Sequence, residues 1–217
     1  MHIMIHACPA REWYVNEYLV PSIVDQGISR DEITIWMDRD GVGNLASCLE
    51  SFAQCSKHDG ETWHLQDDVI VCRDFADRIR AAPDGLALGF CVDKYERGHI
   101  VEGPTMAHYM WQSSFPCLKI PNILAGEFVD WLVSAQNRPE INKLVKTGKK
   151  DDTLFWIFMQ ENHKDMRVTN ISPHLVDHVD WLIGGSTINQ WREDIVRSCR
   201  WNDENLITEL SDKLAGR

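Results

Sequence analysis

The chain has 217 residues, of which 44% are hydrophobic and 25% charged, and a formal net charge of −11. Such a composition is ordinary for a globular domain. No apolar run reaches the roughly 18 residues needed to span a bilayer, and an acidic surface does not attract nucleic acid without a local basic patch or a bound cation. The opening "MHIMIHACPAREWY" has no basic segment and too short an apolar run for a signal peptide, so a cytoplasmic protein is expected. Seven cysteines, an odd number with no CxxC, read as free and mostly packed thiols. Nine tryptophans are many for this length; most belong in a core, and a minority could line a cleft.

In chain order, "HIMIHAC" alternates and ends at Pro9, which predicts a first strand. "REWYVNEYLVPSIVDQG" has helical period through Trp13, Val15, Leu19 and Ile23, with Pro21 expected to kink or end it. "EITIWMDRDG" predicts a second strand, and "NLASCLESFAQC" a second helix capped by Asn44. "TWHLQDDVIVC" reads as a third strand, or as two pieces around its acids. "RDFADRIRAA" follows as a helix with Phe75 and Ile79 at i, i+4, then "GLALGFCVD" as a fourth strand. Further on, "IPNILAGEFVDWLVSAQ" holds a helix from about Gly126, and "DDTLFWIFMQENH" is a helix with acids at its start. "MRVTNIS" is a short strand leading into "PHLVDHVDWLIGGST". Asn189 to Leu214 reads as one or two amphipathic helices. The alternation of strand and helix argues for an α/β layer on a mostly parallel sheet. A single domain over 1–188, with a helical extension over 189–217, is the simplest organisation.

In open α/β sheets, ligands bind beyond the carboxyl ends of the strands. The first predicted strand ends at Cys8, Pro9, Ala10 and Arg11, where small residues would let a planar base approach. Arg11 would meet a phosphate there or make a surface salt bridge. The second ends at Asp38 and Asp40, either of which could accept hydrogen bonds from a base or ribose. The third presents Gln66, Asp67 and Asp68 against the apolar run Val69–Cys72. Two adjacent carboxylates repel each other. Either both point into water as a capping turn, or a positive group from outside the sequence sits between them. Carboxylate oxygens suit Mg²⁺ or Mn²⁺, which a diphosphate would help to hold. The dense basic cluster, Lys143, Lys146, Lys149 and Lys150, is a solvated helix end or a contact for an anionic acceptor.

"WHLQDDVIVCRDF" resembles the metal-binding region of GT-A glycosyltransferases, where an acid pair ends a strand and an apolar run and helix follow. "DDTLFWIF" resembles that family's acceptor-side acidic motif, and "ISPHLVDHVDWLIGGST" the late segment that supplies a histidine to the metal. The pattern runs from Met1 to about Thr187, and its arrangement is similar to small bacteriophage glycosyltransferases that act on hydroxymethylated bases in DNA. The resemblance implies a GT-A-like α/β fold and transfer of a sugar from a nucleoside diphosphate sugar, most commonly a UDP-sugar, to a hydroxyl. It implies Asp68 and His178 as ligands of Mn²⁺ or Mg²⁺, and Asp67 as a contact to ribose or metal. Asp152, or else Asp151, would be the general base of an inverting reaction. For a phage-encoded chain the expected compartment is the host cytoplasm. The motif's usual first acid is Gln66 here, which leaves a two-acid version. Plain alternatives are helix capping for Asp151 and Asp152 and a surface position for His178. His174, i−4 from His178, follows Pro173 in a loop-like context that argues against a helical zinc pair. A nucleotidyltransferase would want a glycine-rich loop after the first strand, which "ACPARE" is not. A metal nuclease would want further acids or a lysine on the same strands. A non-catalytic nucleotide-sugar-binding protein is the remaining alternative.

Overall fold

The computed structural model describes residues 1–90, 104–105, 116–148, 150–184 and 203–216. Strands β1 (His2–Ala7), β2 (Ile33–Met37) and β3 (Glu61–Gln66) are joined by helical crossovers. β4 (Val69–Val71) follows at once, then β5 (Ala87–Leu88), β6 (Pro104–Thr105), β7 (Cys117–Pro121), β8 (Val168–Asn170) and β9 (Val176–His178). The main sheet has seven strands in the order β2-β1-β3-β7-β5-β8-β6, and β4 pairs with β9 in a separate ribbon. Pairing is parallel for β1 with β2 and β3 and for β5 with β8. It is antiparallel where β7 meets β3 and β5 and where β6 meets β8. Hence β1, β2, β3, β5 and β8 run one way, and β7 and β6 the other: a mixed, mostly parallel sheet.

The period of two in β1 and β3 divides the core into two layers. Ile3, Ile5, Trp63 and Leu65 face one layer with Tyr14, Leu19, Ile23 and Phe75. Met4 faces the other, with Cys48, Phe52, Leu118, Ile120, Phe128 and Phe155. Helices α3 (Asn44–Cys55), α5 (Asn122–Ala135) and α7 (Asp151–Asn162) supply this second layer, alongside α6 (Pro139–Val145). The first layer is covered by α1 (Glu12–Tyr14) and α2 (Val20–Val24), by α4 (Phe75–Ala81), by α8 (Asp180–Ile183) through Leu182 and Ile183, and by α9 (Glu204–Ala215) through buried Ile207 and Leu210.

Several expectations are refined. The first helix passes through Pro21 and continues to Val24. Proline has no N–H to offer the carbonyl one turn back, and a π-helical turn over Val15–Leu19 precedes it. Asn44 does not cap α3. Gly43 is the cap residue, and the Asn44 amide donates across to Asp151 Oδ1 at 2.9 Å. α5 starts at Asn122, four residues before Gly126, because the strand β7 delivers the chain there. Among the described residues of the predicted fourth strand, Ala87–Leu88 is strand, and its residues 91–93 lie outside the described ones. The expected tail helix is α9; residues 189–202 of that expectation also lie outside. The described cysteines Cys8, Cys48, Cys55, Cys72 and Cys117 are all free thiols, as expected.

Gly89 joins the two sheet systems: its N–H donates to Cys117 O, and its carbonyl accepts from Leu175 N at 2.7 Å. A Cβ there would lie 2.5 Å from Cys117 Sγ and 2.9 Å from Leu175 Cδ1. Overpacking of a full core costs about 1–3 kcal/mol. Gly89→Ala is therefore expected to lose that much stability, seen as a lower urea midpoint with an unchanged m-value. An unaltered midpoint would show that the neighbours yield freely.

Candidate active site

The parallel register brings Ala7 opposite Met37 and His6 opposite Gln66, so the carboxyl ends of β1, β2 and β3 share one rim. After β1 the chain turns through a 3₁₀ segment, Pro9–Arg11, leaving Pro9 and Ala10 exposed and Arg11 buried at 6% exposure. After β3 it turns through Asp67 and Asp68, 5% and 9% exposed, into β4. The acids do not face water, and the positive group between them belongs to this chain. Arg11 Nη1 lies 2.6 Å from Asp67 Oδ1 and 2.9 Å from Asp68 Oδ2. Arg11 Nε donates to Gly184 O at 3.1 Å, and Cys8 N–H donates to Asp67 Oδ2 at 2.7 Å. The surface salt bridge read from the sequence for Arg11 is thus a buried one. Gly184 has φ +73°, a conformation suited to glycine, which lets its carbonyl turn back to the guanidinium.

The charges of this cluster are tightly opposed. Burial pushes the Asp67 carboxyl up, Arg11 pulls it back and Asp68 raises it again, leaving it above its ordinary value. Burial disfavours the charged guanidinium, but Asp68 and Asp67 outweigh that and hold it firmly protonated. The Cys8 thiol, half-buried beside Asp67, is pushed up to about 11.

One oxygen of the pair remains. Asp68 Oδ1 is buried without a hydrogen-bond partner among the described residues, and both ring nitrogens of His178 are in the same condition. His178 Nε2 stands 3.9 Å from that oxygen, beyond hydrogen-bond reach. The histidine is 6% exposed, not a surface residue. The β4–β9 ribbon brings it there: Val69 pairs with His178, Val179 N donates to Asp68 O at 2.8 Å, and the imidazole stacks on Phe90 at 4.9 Å. His178 lies on a strand, so no helical pair with His174 forms.

The second acidic pair reaches the rim through the loop after β2. Both oxygens of Asp38 accept turn N–H groups, from Val42 at 2.8 Å and Gly43 at 3.1 Å, so Asp38 shapes the loop that starts α3. Asp40 is exposed, Gln66 half-buried. Leu45 N donates to Gly148 O, and Asn44 to Asp151, tying the α7 start to this loop. Asp151 is buried at 4% exposure. Asp152 is only partly covered, and its Oδ1 accepts from its neighbour's N–H, Thr153, at 2.6 Å. Burial, and then the Asp151 charge, raise Asp152 to about 7. Asp151 is thus tied inside, and Asp152 is half-buried at the helix start. Burial holds His6, at the end of β1, below its ordinary value, against the opposing pull of the Asp151, Asp38 and Asp68 charges. Lys143, Lys146 and Lys150 are exposed beside the α7 start, and Lys149 lies outside the described residues.

No protein-family model matches the chain, and no curated protein matches it. Solved structures do. The crystal structure of S. aureus TarS 1–349 superposes with a TM-score of 0.52 at 13% identity, over 81% of this chain and 59% of that one. The same protein in complex with UDP-GlcNAc gives 0.49 at 11% identity, over 81% and 57%. With UDP it gives 0.44 at 14%, over 81% and 59%. The chain therefore spans about three-fifths of the TarS chain it matches. At this identity the likeness establishes the fold, and the fold is the GT-A-like α/β arrangement read from the sequence.

Truncating one partner of a buried ion pair leaves its charge uncompensated, at about 3–5 kcal/mol. Arg11→Met is expected to lose that much at pH 7. The loss should shrink on acidification, because without the guanidinium the folded-state Asp67 carboxyl is raised further and takes up a proton that the unfolded chain does not. Urea unfolding at pH 5 and pH 7 checks this; a loss independent of pH would mean that Arg11 acts through packing alone.

Proposed function

We propose that the chain is a glycosyltransferase that moves a sugar from a nucleoside diphosphate sugar to a hydroxyl. Residues 1–188 would form the catalytic domain and 189–217 an extension packed on it. The observation that carries the reading is the pairing of two buried, unpartnered donor atoms, Asp68 Oδ1 and His178 Nε2, beside the Arg11 bridge at the strand-end rim. A desolvated polar atom without a partner is costly. One carboxylate oxygen and one imidazole nitrogen suit Mn²⁺, and less well Mg²⁺. Such an ion, when bound, would offset charge developing on the diphosphate. The shared fold with TarS, a protein crystallised with UDP-GlcNAc and with UDP, supports a UDP-sugar as donor.

The chain's own residues then have assignable tasks. Arg11 holds Asp67 and Asp68 in one orientation, so that Asp68 turns its free oxygen toward His178 while Asp67 stays fixed against Cys8 N–H. The exposed Pro9–Ala10 turn and Asp40 outline the rim where base and ribose would lie, with Cys8 and Gln66 at its floor. Asp152 accepts the proton of the acceptor hydroxyl as its oxygen bonds to the anomeric carbon and the carbon–diphosphate bond breaks. A carboxyl titrating near 7 is well matched to that task at neutral pH. Attack opposite the leaving group inverts the centre. The exposed Lys143, Lys146 and Lys150 next to α7 support a polyanionic acceptor such as hydroxymethylated DNA, against the net charge of −11 elsewhere.

Thermal denaturation with UDP-sugars, with and without Mn²⁺, tests the donor site. A ligand at a hundred times its Kd adds about 2.7 kcal/mol. Stabilisation is expected with donor plus Mn²⁺ and is expected to vanish in Asp68→Asn. A full shift in that variant removes the metal ligand, and no shift with any sugar nucleotide removes the reading. Transfer to hydroxymethylated duplex at rising salt tests the acceptor: salt-independent transfer would exclude phosphate contacts.

Asp152 makes a separate prediction. Its folded value, about 7, lies above its ordinary 3.8, so the folded state holds the extra proton between those limits. Stability contributed by this group therefore falls as pH rises from about 4 to 7 and is level above that. Asp152→Asn should flatten that slope, hold or raise stability at pH 7.5, and reduce kcat at least a hundredfold. Unchanged turnover would disqualify Asp152 as the base.

A further inference from the structure

The mechanism leaves unused a set of polar side chains sealed in the layer beneath the rim. His64 stands opposite Met4 in the parallel register, so His6, two residues on, projects from the same face of the sheet. That face is covered by α3, which turns Ser47, Cys48 and Ser51 inward. His6, Cys48 and His64 are 7%, 0% and 0% exposed. One ligand atom from each lies within 4.8 Å of the others. In a tetrahedral zinc site, bonds of about 2.0–2.3 Å put such atoms roughly 3.3–3.8 Å apart. The three side chains need close by only about an ångström.

The hydrogen bonds around them define the tautomer of one ring. Ser51 Oγ donates its only proton to Cys48 O at 2.7 Å, so at 2.9 Å it accepts from His64 Nε2–H. His64 Nδ1 therefore carries a bare lone pair, and it has no hydrogen-bond partner among the described residues. A ring whose far N–H is held by an oxygen while its other nitrogen is left open is how a metal-binding histidine is oriented. The second ring is held similarly, with His6 Nε2 3.0 Å from Ser47 Oγ. Asp151 lies against the Cys48 thiol, and its Oδ2 has no N–H or O–H partner among the described residues.

We propose that His6, Cys48 and His64 form a structural zinc site that clamps β1, β3 and α3 together under the donor rim. Two imidazoles and a thiolate suit Zn²⁺ better than the hard ions expected of Asp68. As the Zn–S bond forms, the S–H bond breaks, and its proton passes to the adjacent Asp151 and on to water. With the site closed to solvent, the ion enters during folding. The clamp acts on the same α3 whose first residue, Asn44, anchors Asp151.

The test is to unfold the full chain in reductant and chelator, then refold it with one equivalent of Co²⁺. A thiolate-to-cobalt charge-transfer band with tetrahedral d–d absorption is expected, displaced by Zn²⁺. The band should be lost in Cys48→Ser and retained in Cys8→Ser and Asp68→Asn; His64→Gln should weaken binding at least tenfold. A band that survives Cys48→Ser, or no thiolate band at saturating Co²⁺, overturns the site. X-ray absorption on zinc-refolded wild type reads the donors directly, independently of whether a variant folds: one sulfur with imidazoles supports the site, and oxygen and nitrogen alone refutes it. The donor reading is untouched by either result, since Asp68 and His178 contain no thiol.

Discussion

The rim of this molecule depends on one guanidinium. Two adjacent carboxylates cannot both be taken out of water without a counter-charge, and Arg11 supplies it from the turn after the first strand. A single Nη1 bridges both acids, and Nε reaches Gly184 on the far side. The bridge thereby joins three distant parts of the chain: the end of β1, the end of β3 and the segment after β9. It also breaks the symmetry of the pair. Asp67 is saturated by Arg11 and Cys8 N–H, whereas Asp68 keeps one oxygen without a partner, facing His178.

Around that bridge, secondary structure does the positioning. Parallel pairing of β1 with β2 and β3 gathers three loops at one edge. The short β4–β9 ribbon brings His178 in from more than a hundred residues away. Side-chain alternation sorts the rest. Ile3, Ile5 and Leu65 fill one layer, while His6 and His64 fall on the opposite face with Met4, over α3. The buried imidazoles are therefore a consequence of the pleat. Their serine partners keep the rings hydrogen-bonded without using every nitrogen. Burial keeps them neutral, with His64 driven down to about 3.

Most of the fold was legible in the chain. Short apolar runs that end in polar turns marked β1, β2 and β3, both faces being covered in β1 and β3; the i, i+4 spacing of Phe75 and Ile79 marked α4, and the acids at its start marked α7. β7 was missed: "CLKIP" is short, carries a lysine and runs straight into a helix, so no period has room to develop. Lys119 is tolerated in it because Glu61 lies 2.5 Å away across the strand pair. Asn44 was misread as a cap because its residue type fits that role locally, while its partner, Asp151, is 107 positions distant. The histidines in "HIMIHAC" and "TWHLQ" were visible signals that went unused: a polar ring at an inward strand position needs a partner.

The residue types alone determined that an α/β chain would present Cys8–Arg11, Asp38–Asp40 and Gln66–Asp68 at strand ends, since period and turn chemistry are local properties. They could not determine which charges would meet. Whether Asp67 and Asp68 faced water or a cation, whether Asp151 or Asp152 was tied inside, and whether His178 was surface or buried were decided by long-range register and by desolvation. Both arise only when strands far apart in sequence share one sheet, and there the energy of a charge is set by its neighbours in space.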